Sequence, residues 1–449
     1  SVLLFAALVT LASGVVFGCA PAIAARRPDL MPTLQMSIRG GSSSRRQART
    51  RSALVVAEFS LSIVLLIAAG LLLRSFRDLM HERLGFDPTS VMTVRTRLPY
   101  PNDTSIDKYP TADKEAPFLR ELLRRTNTIP GVELAAIASS SAIPLDHAHR
   151  DMNVVPLLIE GRGADVAQAP VVPGAVVTPE YFRLLGLAAR GGRLFTAADT
   201  ETTPAVAVVN EAMARTFWPN EDPIGAHVRL SRSPTAPWTM IVGVIADART
   251  ETLADATVPQ IYASAYQKSA KHLAIFLRGP ADTAAAADRV RDAVQSLDPT
   301  LPVFGAEPLT SAVSGSLAAR RFAVQIVALF ALTALLLAAL GIYGVMSYTI
   351  AARTQEIGVR LALGAPRERL FAAIVGRGLA LAVAGAAVGV LCAAVVARLM
   401  AGVLYGVRPL DPVTFAAVPI ALVIVAALAC SIPARRALRI EPLLALRCD

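Results

Sequence analysis

The densest run of metal-capable side chains in this sequence is Asp146-His147-Ala148-His149-Arg150-Asp151. Two imidazoles two residues apart, flanked by carboxylates, are donors of the kind that hold zinc or copper. Spacing supplies no third ligand, and the run lies in a polar, proline-bounded stretch. A surface loop is therefore the competing reading, and His147 and His149 stand as weak metal candidates; the remaining histidines, His81, His227 and His272, are isolated. The chain contains no G-x-x-x-x-G-K-[ST], G-x-S-x-G, H-E-x-x-H or C-x-x-C run. It thus lacks a phosphate cradle, a nucleophile elbow, a zincin helix and a redox pair. No catalytic residue and no cofactor is expected.

Charge placed among apolar residues is the other chemical signal. Glu58 interrupts an otherwise apolar run, where an ionisable group is by default a functional hypothesis. It lies near the arginines that precede the run, so pairing with one such as Arg51 is the structural alternative. The stretch Ala352 to Phe371, ARTQEIGVRLALGAPRERLF, lies between two long apolar runs. Ile357, Leu361 and Gly364 fall on one helical face, and Glu356 and Arg360 form an i,i+4 pair. Gly364-Ala365-Pro366 then stops the helix. A short charged helix held between two spans is a docking surface for a soluble partner; an ordinary helical loop is the alternative.

The elements that must position these groups follow from the hydropathy. The chain has 449 residues, 54% hydrophobic and 17% charged, as a membrane protein with a sizeable polar portion would. Residues 1–24 read as a transmembrane helix, 25–52 as a basic cytoplasmic linker with seven arginines, and 53–75 as a second span. A long polar excursion covers 76–320. Spans follow at 321–350, 373–402 and 412–433, joined by the loop at 351–372 and a short extracytoplasmic loop at 403–411, with a cytoplasmic tail at 434–449. The net charge of +10 does not point to nucleic acid, because residues 76–320 hold 24 Lys+Arg against 27 Asp+Glu while the rest holds 20 against 7. Positive charge beside spans is the signature of cytoplasmic loops. The span at 373–402 contains Gly385 and Gly389, a small-residue spacing that permits close helix packing or dimerisation.

The excursion reads as a soluble domain of mixed α+β type. Met92–Leu98 alternates as a strand, Phe118, Leu119, Leu122 and Leu123 form a helical face, and Ala205–Val209, Met240–Ile245, Ile261–Tyr266 and Leu273–Leu277 read as strands. Thr178 with Pro179, Asn210 and Asp282 read as helix starts. None of the four cysteines falls within it, so it has no internal disulfide.

The run TQEIGVRLALGAPRERLF resembles the signature loop of FtsX/MacB-type ABC transporter permeases. PGVELAAIASS, TPEYFRLLGLAARGGRLFTAADT, VAVVNEAMARTFWPNEDPIGAHVRL, IVGVIADARTETL and PQIYASAYQ likewise resemble the extracytoplasmic core domain of MacB-like permeases. VFGCAPAIAARRPDLMPTLQ near the start parallels LACSIPARRALRIEPLLAL at the end. That weak repeat makes 1–38 the close of one permease module and 53–449 a second, as in duplicated (ADOP-like) permeases, and Ser1 is not expected to be the natural start.

The resemblance implies an α-helical membrane protein: a four-span FtsX-type module plus one preceding span, carrying a large mixed α+β MacB-like extracytoplasmic domain. It implies a bacterial inner-membrane permease subunit of an ABC transporter or efflux system that passes ATP-driven movement to the outside domain. Hydrolysis would come from a separate ATPase subunit. Arg353, Glu356 and Arg360 would be its polar contacts, with Gly364 and Ala365 allowing close approach. The other partners implied are the bilayer, a second permease module or a homodimer, and a periplasmic protein. A non-transporting signal transducer is the alternative of a different class, and a membrane-anchored metalloenzyme is a third.

Overall fold

In the computed structural model the described residues are 42–99, 107–146, 154–162, 168–253, 257–280, 282–351, 359–360, 363, 365–402 and 404–438. The chain divides into two units, Ser1–Ala68 with Phe330–Arg398 and Pro412–Asp449, and Ala69–Leu329 with Leu399–Asp411. The expected span at 1–24 and both candidate histidines, His147 and His149, lie outside the described residues.

The second unit is built on a twelve-stranded sheet. Helix α1 (Ser42–Met80) leads into β1 (Val91–Arg97), followed by α2 (Ala112–Asn127), β2 (Leu134–Ser139), β3 (Val154–Pro156), β4 (Leu158–Ile159) and β5 (Val171–Val177). Then come α3 (Glu180–Leu185), β6 (Ala189–Gly192), β7 (Val206–Asn210), α4 (Glu211–Phe217), β8 (His227–Arg229) and β9 (Thr239–Ile245). The unit ends with β10 (Ile261–Ser264), β11 (His272–Arg278), α5 (Thr283–Leu297), β12 (Val303–Pro308) and α6 (Leu309–Ser316). The strand order is β12-β1-β11-β2-β5-β10-β7-β9-β8-β4, with β3 added to β5 and β6 to β9.

One apolar cluster, centred on Tyr181, Phe182, Tyr262 and Phe276, runs along one face of the sheet. The other face carries two separate clusters. One packs α2 and α5 on β1, β2 and β11; the other surrounds Met213, Trp218 and Ile241. The sheet is therefore shared by two lobes. They join at β2 and β5, which pair at one position, Ala138 opposite Val177.

Local chemistry explains the helix starts. The Asn210 side chain accepts from the Met213 N–H, and that of Asp282 from the Ala284 and Ala285 N–H groups. Thr178 differs from its expected role as a cap. Pro179 occupies the position before α3, and the Thr178 hydroxyl instead accepts from the Ile137 N–H at 3.1 Å. A tertiary donor has taken the oxygen that a cap would use.

Strands β6 and β9 approach so closely that only hydrogen fits on Gly243. An added Cβ would overlap the Arg193 carbonyl oxygen and stand 3.0 Å from its carbon. Gly243→Ala is accordingly expected to destabilise this unit by about 3 kcal/mol. Gly315→Ala, which meets open space, should leave the thermal midpoint unchanged or raise it; equal midpoints for the two variants would contradict the packing.

Four helices among the described residues are long and apolar enough to cross a membrane: Ser52–Met80 within α1, α7 (Ala318–Ala351), α8 (Arg367–Leu399) and α9 (Pro412–Arg436 of Pro412–Ala437). They run beyond the apolar stretches at one or both ends, because helix propensity continues through the polar flanks. In the first unit, Val55, Phe59, Ile63 and Ile67 form a buried stripe on α1 at four-residue spacing. It meets the small-residue face of α8: a Cβ on Gly385 would be 2.7 Å from Phe59 Cβ, and one on Gly389 2.8 Å from Ile63 Cβ. The Gly385/Gly389 spacing thus serves packing within the chain. Gly378 of the same helix gives way to Cys430 of α9 and Met346 of α7. Outward-facing Leu336, Leu340, Leu391 and Leu428 are exposed, as lipid-facing residues must be.

Candidate functional site

The loop between α7 and α8 is described only at its second half. Arg353, Glu356 and Gly364 lie outside the described residues. Arg360 is exposed on a helical turn that closes with the Ala365 N–H donating to the Arg360 carbonyl at 3.0 Å. Pro366 then opens α8 by accepting from the Arg369 N–H at 3.1 Å. Leu363 is 82% exposed on this turn. Ala365 is half-buried.

Glu58 sits against a glycine of the neighbouring span. A Cβ on Gly341 would overlap the Glu58 carboxylate, so α7 leaves a notch where the carboxylate lies. One turn on, the Ser62 hydroxyl bridges the Glu58 carbonyl at 2.8 Å and the Ala334 carbonyl of α7 at 3.0 Å. The side chain of the expected partner Arg51 is outside the described residues.

Among the described residues no group of three His, Cys, Asp or Glu is placed to hold a metal ion. Asp146, next to the candidate histidines, is paired with Arg95 at 2.7 Å.

The second unit brings together residues whose roles the sequence does not announce. Beyond the apolar part of α1, Leu71, Ser75 and Leu79 continue one buried face. The return loop between α8 and α9 is fastened along this part of the helix. The Ser75 hydroxyl accepts from the Tyr405 N–H at 2.7 Å, and Arg74 pairs with Asp411 at 2.7 Å. Arg249, from the turn after β9, closes the arrangement. Its Nη2 donates to Glu82 Oε1 at 2.9 Å and to the Tyr405 hydroxyl at 3.1 Å, and its Nη1 donates to the Leu253 carbonyl at 3.1 Å. The Arg249 N–H donates to the Leu84 carbonyl at 2.8 Å. At Gly85, with φ +78°, a side chain would strike the Asp247 carbonyl. Burial, with the hydrogen bond to Glu82, raises the Tyr405 hydroxyl above its ordinary range, so it remains a neutral donor. The end of α1, the return loop and a domain turn are thereby tied into one polar bracket.

Sequence gives little access to these partners, since Arg249 and Tyr405 are 156 positions apart and Arg74 and Asp411 are 337 apart. Asp411 before Pro412 carries a local signal, that of a helix start.

The chain matches the family model described as FtsX-like permease C-terminal over residues 328–442 and the MacB-like periplasmic core domain over 52–293. It is 24% identical over 287 residues to the macrolide export ATP-binding/permease protein MacB of Mannheimia succiniciproducens, covering 60% of this chain and 42% of that one. With the protein of the same name from Nitrosomonas europaea it is 25% identical, covering 57% and 39%. The chain thus spans about two fifths of the length of these relatives. Among solved structures, the periplasmic region of MacB from Actinobacillus actinomycetemcomitans aligns at 12% identity with a TM-score of 0.32, covering 51% of this chain and 94% of that one.

Proposed function

The chain belongs to the MacB-like ABC transporter permeases, and we propose that it is a membrane subunit through which ATP hydrolysis on a separate ATPase moves the extracytoplasmic domain. The observation that carries this reading is the continuity of α1. It is one helix of 39 residues, about 58 Å long at 1.5 Å per residue. Its apolar part packs against α8, and its far end holds the return loop and the Arg249 turn. Movement of the membrane part would reach the domain through this helix.

The ATPase would bind at 351–372, with Arg353, Glu356 and Arg360 as polar contacts and Gly364 and Ala365 permitting close approach. Leu363 would fill an apolar recess in the partner. The setting would be a bacterial inner membrane, with a second permease module or a second copy completing the transporter, and with cargo or a periplasmic partner met by the outer domain. Because the relatives are named for macrolide export, macrolides are the first cargo to assay.

Reconstitution with candidate ATPase subunits tests the reading. The unaltered protein should change the ATPase rate, and Glu356→Arg with Arg360→Glu should remove the effect by about tenfold or more, the loss of two charge-assisted contacts. Retained stimulation in the double variant would move the docking site elsewhere. Failure of every ATPase to associate with the unaltered protein would leave the domain as a receptor without a motor.

A further inference from the structure

The turn 265–271 carries the chain from β10, in one lobe, to β11, in the other. It is held from both sides. On the far-lobe side, the Gln267 side chain accepts from the Val206 N–H at 3.0 Å and donates to the Thr200 and Pro204 carbonyls, each at 3.0 Å. On the near-lobe side the grip is a carboxylate. Glu115, in the first turn of α2, is fully buried. It accepts from the Ser269 hydroxyl at 2.5 Å and, more weakly, from the Ala270 N–H at 3.3 Å. Lys271 leaves Glu115 to these donors and pairs with Asp107, whose side chain is also fully buried, at 3.0 Å.

Counting charge shows why this grip is conditional. Asp107 and Glu115 are two buried acids facing one half-buried ammonium, Lys271. The next groups outward, Lys108, Tyr109 and Asp298, satisfy one another: Lys108 Nζ lies 3.1 Å and the Tyr109 hydroxyl 3.2 Å from Asp298 Oδ2. Asp113 and Lys114 on the same helical turn are exposed. Lys268 on the crossing turn is exposed as well, and Arg97 and His272 stand at the paired ends of β1 and β11. With Lys271 committed to Asp107, an ionised Glu115 has only neutral donors, and a proton removes the excess charge.

The position of this acid gives the proton a mechanical consequence. Between the lobes the sheet is joined by the Ala138–Val177 pairing, by the Ile137–Thr178 and Val176–Ser139 hydrogen bonds and, on one face, by a continuous apolar cluster, while the clusters on the face bearing α2 are separate. Around that seam, the crossing turn is what ties α2 to the start of β7. We propose that proton binding by Glu115 sets the stiffness of this hinge, with the protonated acid holding the turn 265–271 against α2 and the ionised acid releasing it.

Burial pushes the Glu115 carboxyl up to about 7, against the opposing pull of Ser269, Ala270 and Lys271, while Asp107 adds to the rise. In an opened hinge the acid returns to its ordinary value of 4.5. The closed form therefore binds the proton more tightly. Its extra stability is complete below about 4.5 and is lost as pH rises to about 7. This regulation is independent of the motor and stands whether the domain is driven by an ATPase or by a bound partner.

Hydrogen exchange of the full chain in lipid nanodiscs, corrected for the intrinsic pH dependence of exchange, tests it. Protection of the 265–272 backbone should fall about tenfold or more between pH 5 and pH 8. In Glu115→Gln, protection should be independent of pH in this window. A pH-independent wild type, or a fall that persists in Glu115→Gln, overturns the proposal. If Glu115→Gln does not fold, Ser269→Ala serves instead. It removes a donor that favours the ionised acid, so the transition must move to higher pH, and an unmoved transition overturns the proposal equally.

Discussion

Gly389→Leu is expected to disrupt the membrane unit, while Gly376→Leu on the same helix is silent. The contrast is one of neighbours. A Cβ at Gly389 would stand 2.8 Å from Ile63 Cβ, 2.9 Å from the Ser60 carbonyl and 3.0 Å from Ser60 Cα, whereas one at Gly376 meets open space. Two of the three obstructing atoms are backbone, so no rotamer change relieves them. Forcing even one methyl into a packed interior costs about 1–3 kcal/mol, and leucine adds three further carbons where helix axes would have to separate. Membrane helices lack a hydrophobic drive towards one another, so this close contact is a large share of what joins α1 to α8. Gly389→Leu should therefore lower the thermal midpoint of the detergent-solubilised protein by several degrees and lose any effect on a partner ATPase, with Gly389→Ala intermediate. A midpoint for Gly389→Leu equal to that of Gly376→Leu would mean that α1 and α8 do not pack through this face.

What the sequence made legible was what depends on near neighbours in the chain. The caps at Asn210 and Asp282 were readable because the cap and the N–H groups that donate to it lie within three residues. The α2 face was readable because Phe118, Leu119, Leu122 and Leu123 fall at helical spacing. The membrane helices announced themselves through uninterrupted hydropathy, and the quoted motifs carried the family. Strands β2, β5 and β12 left no such trace. β2 reads LAAIAS, too rich in alanine to alternate, and β5 contains Pro173 and Gly174, which argue against a strand. Pro173 is tolerated because it lies opposite Val154 of β3, ahead of the stretch from Gly174 onward that pairs with β10. Thr178 was misread because its hydroxyl serves Ile137, 41 residues away. The candidate site shows the same division. Arg360 and Ala365 could be singled out from a local motif. Arg74, Ser75, Glu82, Arg249, Tyr405 and Asp411 could not, because only the folded domain brings them together.

For the bracket formed by those six residues, Arg249→Ala should have a larger effect than breaking the Arg74–Asp411 pair. In the latter, the Arg74 side chain is 44% exposed, so water competes for it and the pair contributes about 1 kcal/mol or less. The Arg249 side chain is 18% exposed and divides its donors among Glu82, Tyr405 and the Leu253 carbonyl. Removing it leaves three partners short of a donor, a loss of about 2 kcal/mol after allowing for the partial exposure of Glu82. None of those partners belongs to the sheet, so the domain should keep its fold. Hydrogen exchange should then quicken together in 404–411 and 247–253 while β1 and β11 are unchanged. Arg249→Lys, whose ammonium lacks the planar fork, should lie between. In a reconstituted transporter the same variant separates two roles for the bracket. If it passes displacement from the spans to the domain, Arg249→Ala should leave ATPase association intact and abolish ATP-dependent change in a distance label between domain and return loop. If it is only a brace, local exchange should quicken while that distance change persists, and force would have to enter the domain elsewhere: β1 and β12, adjacent strands with Met92 opposite Pro308, are the covalent route that remains.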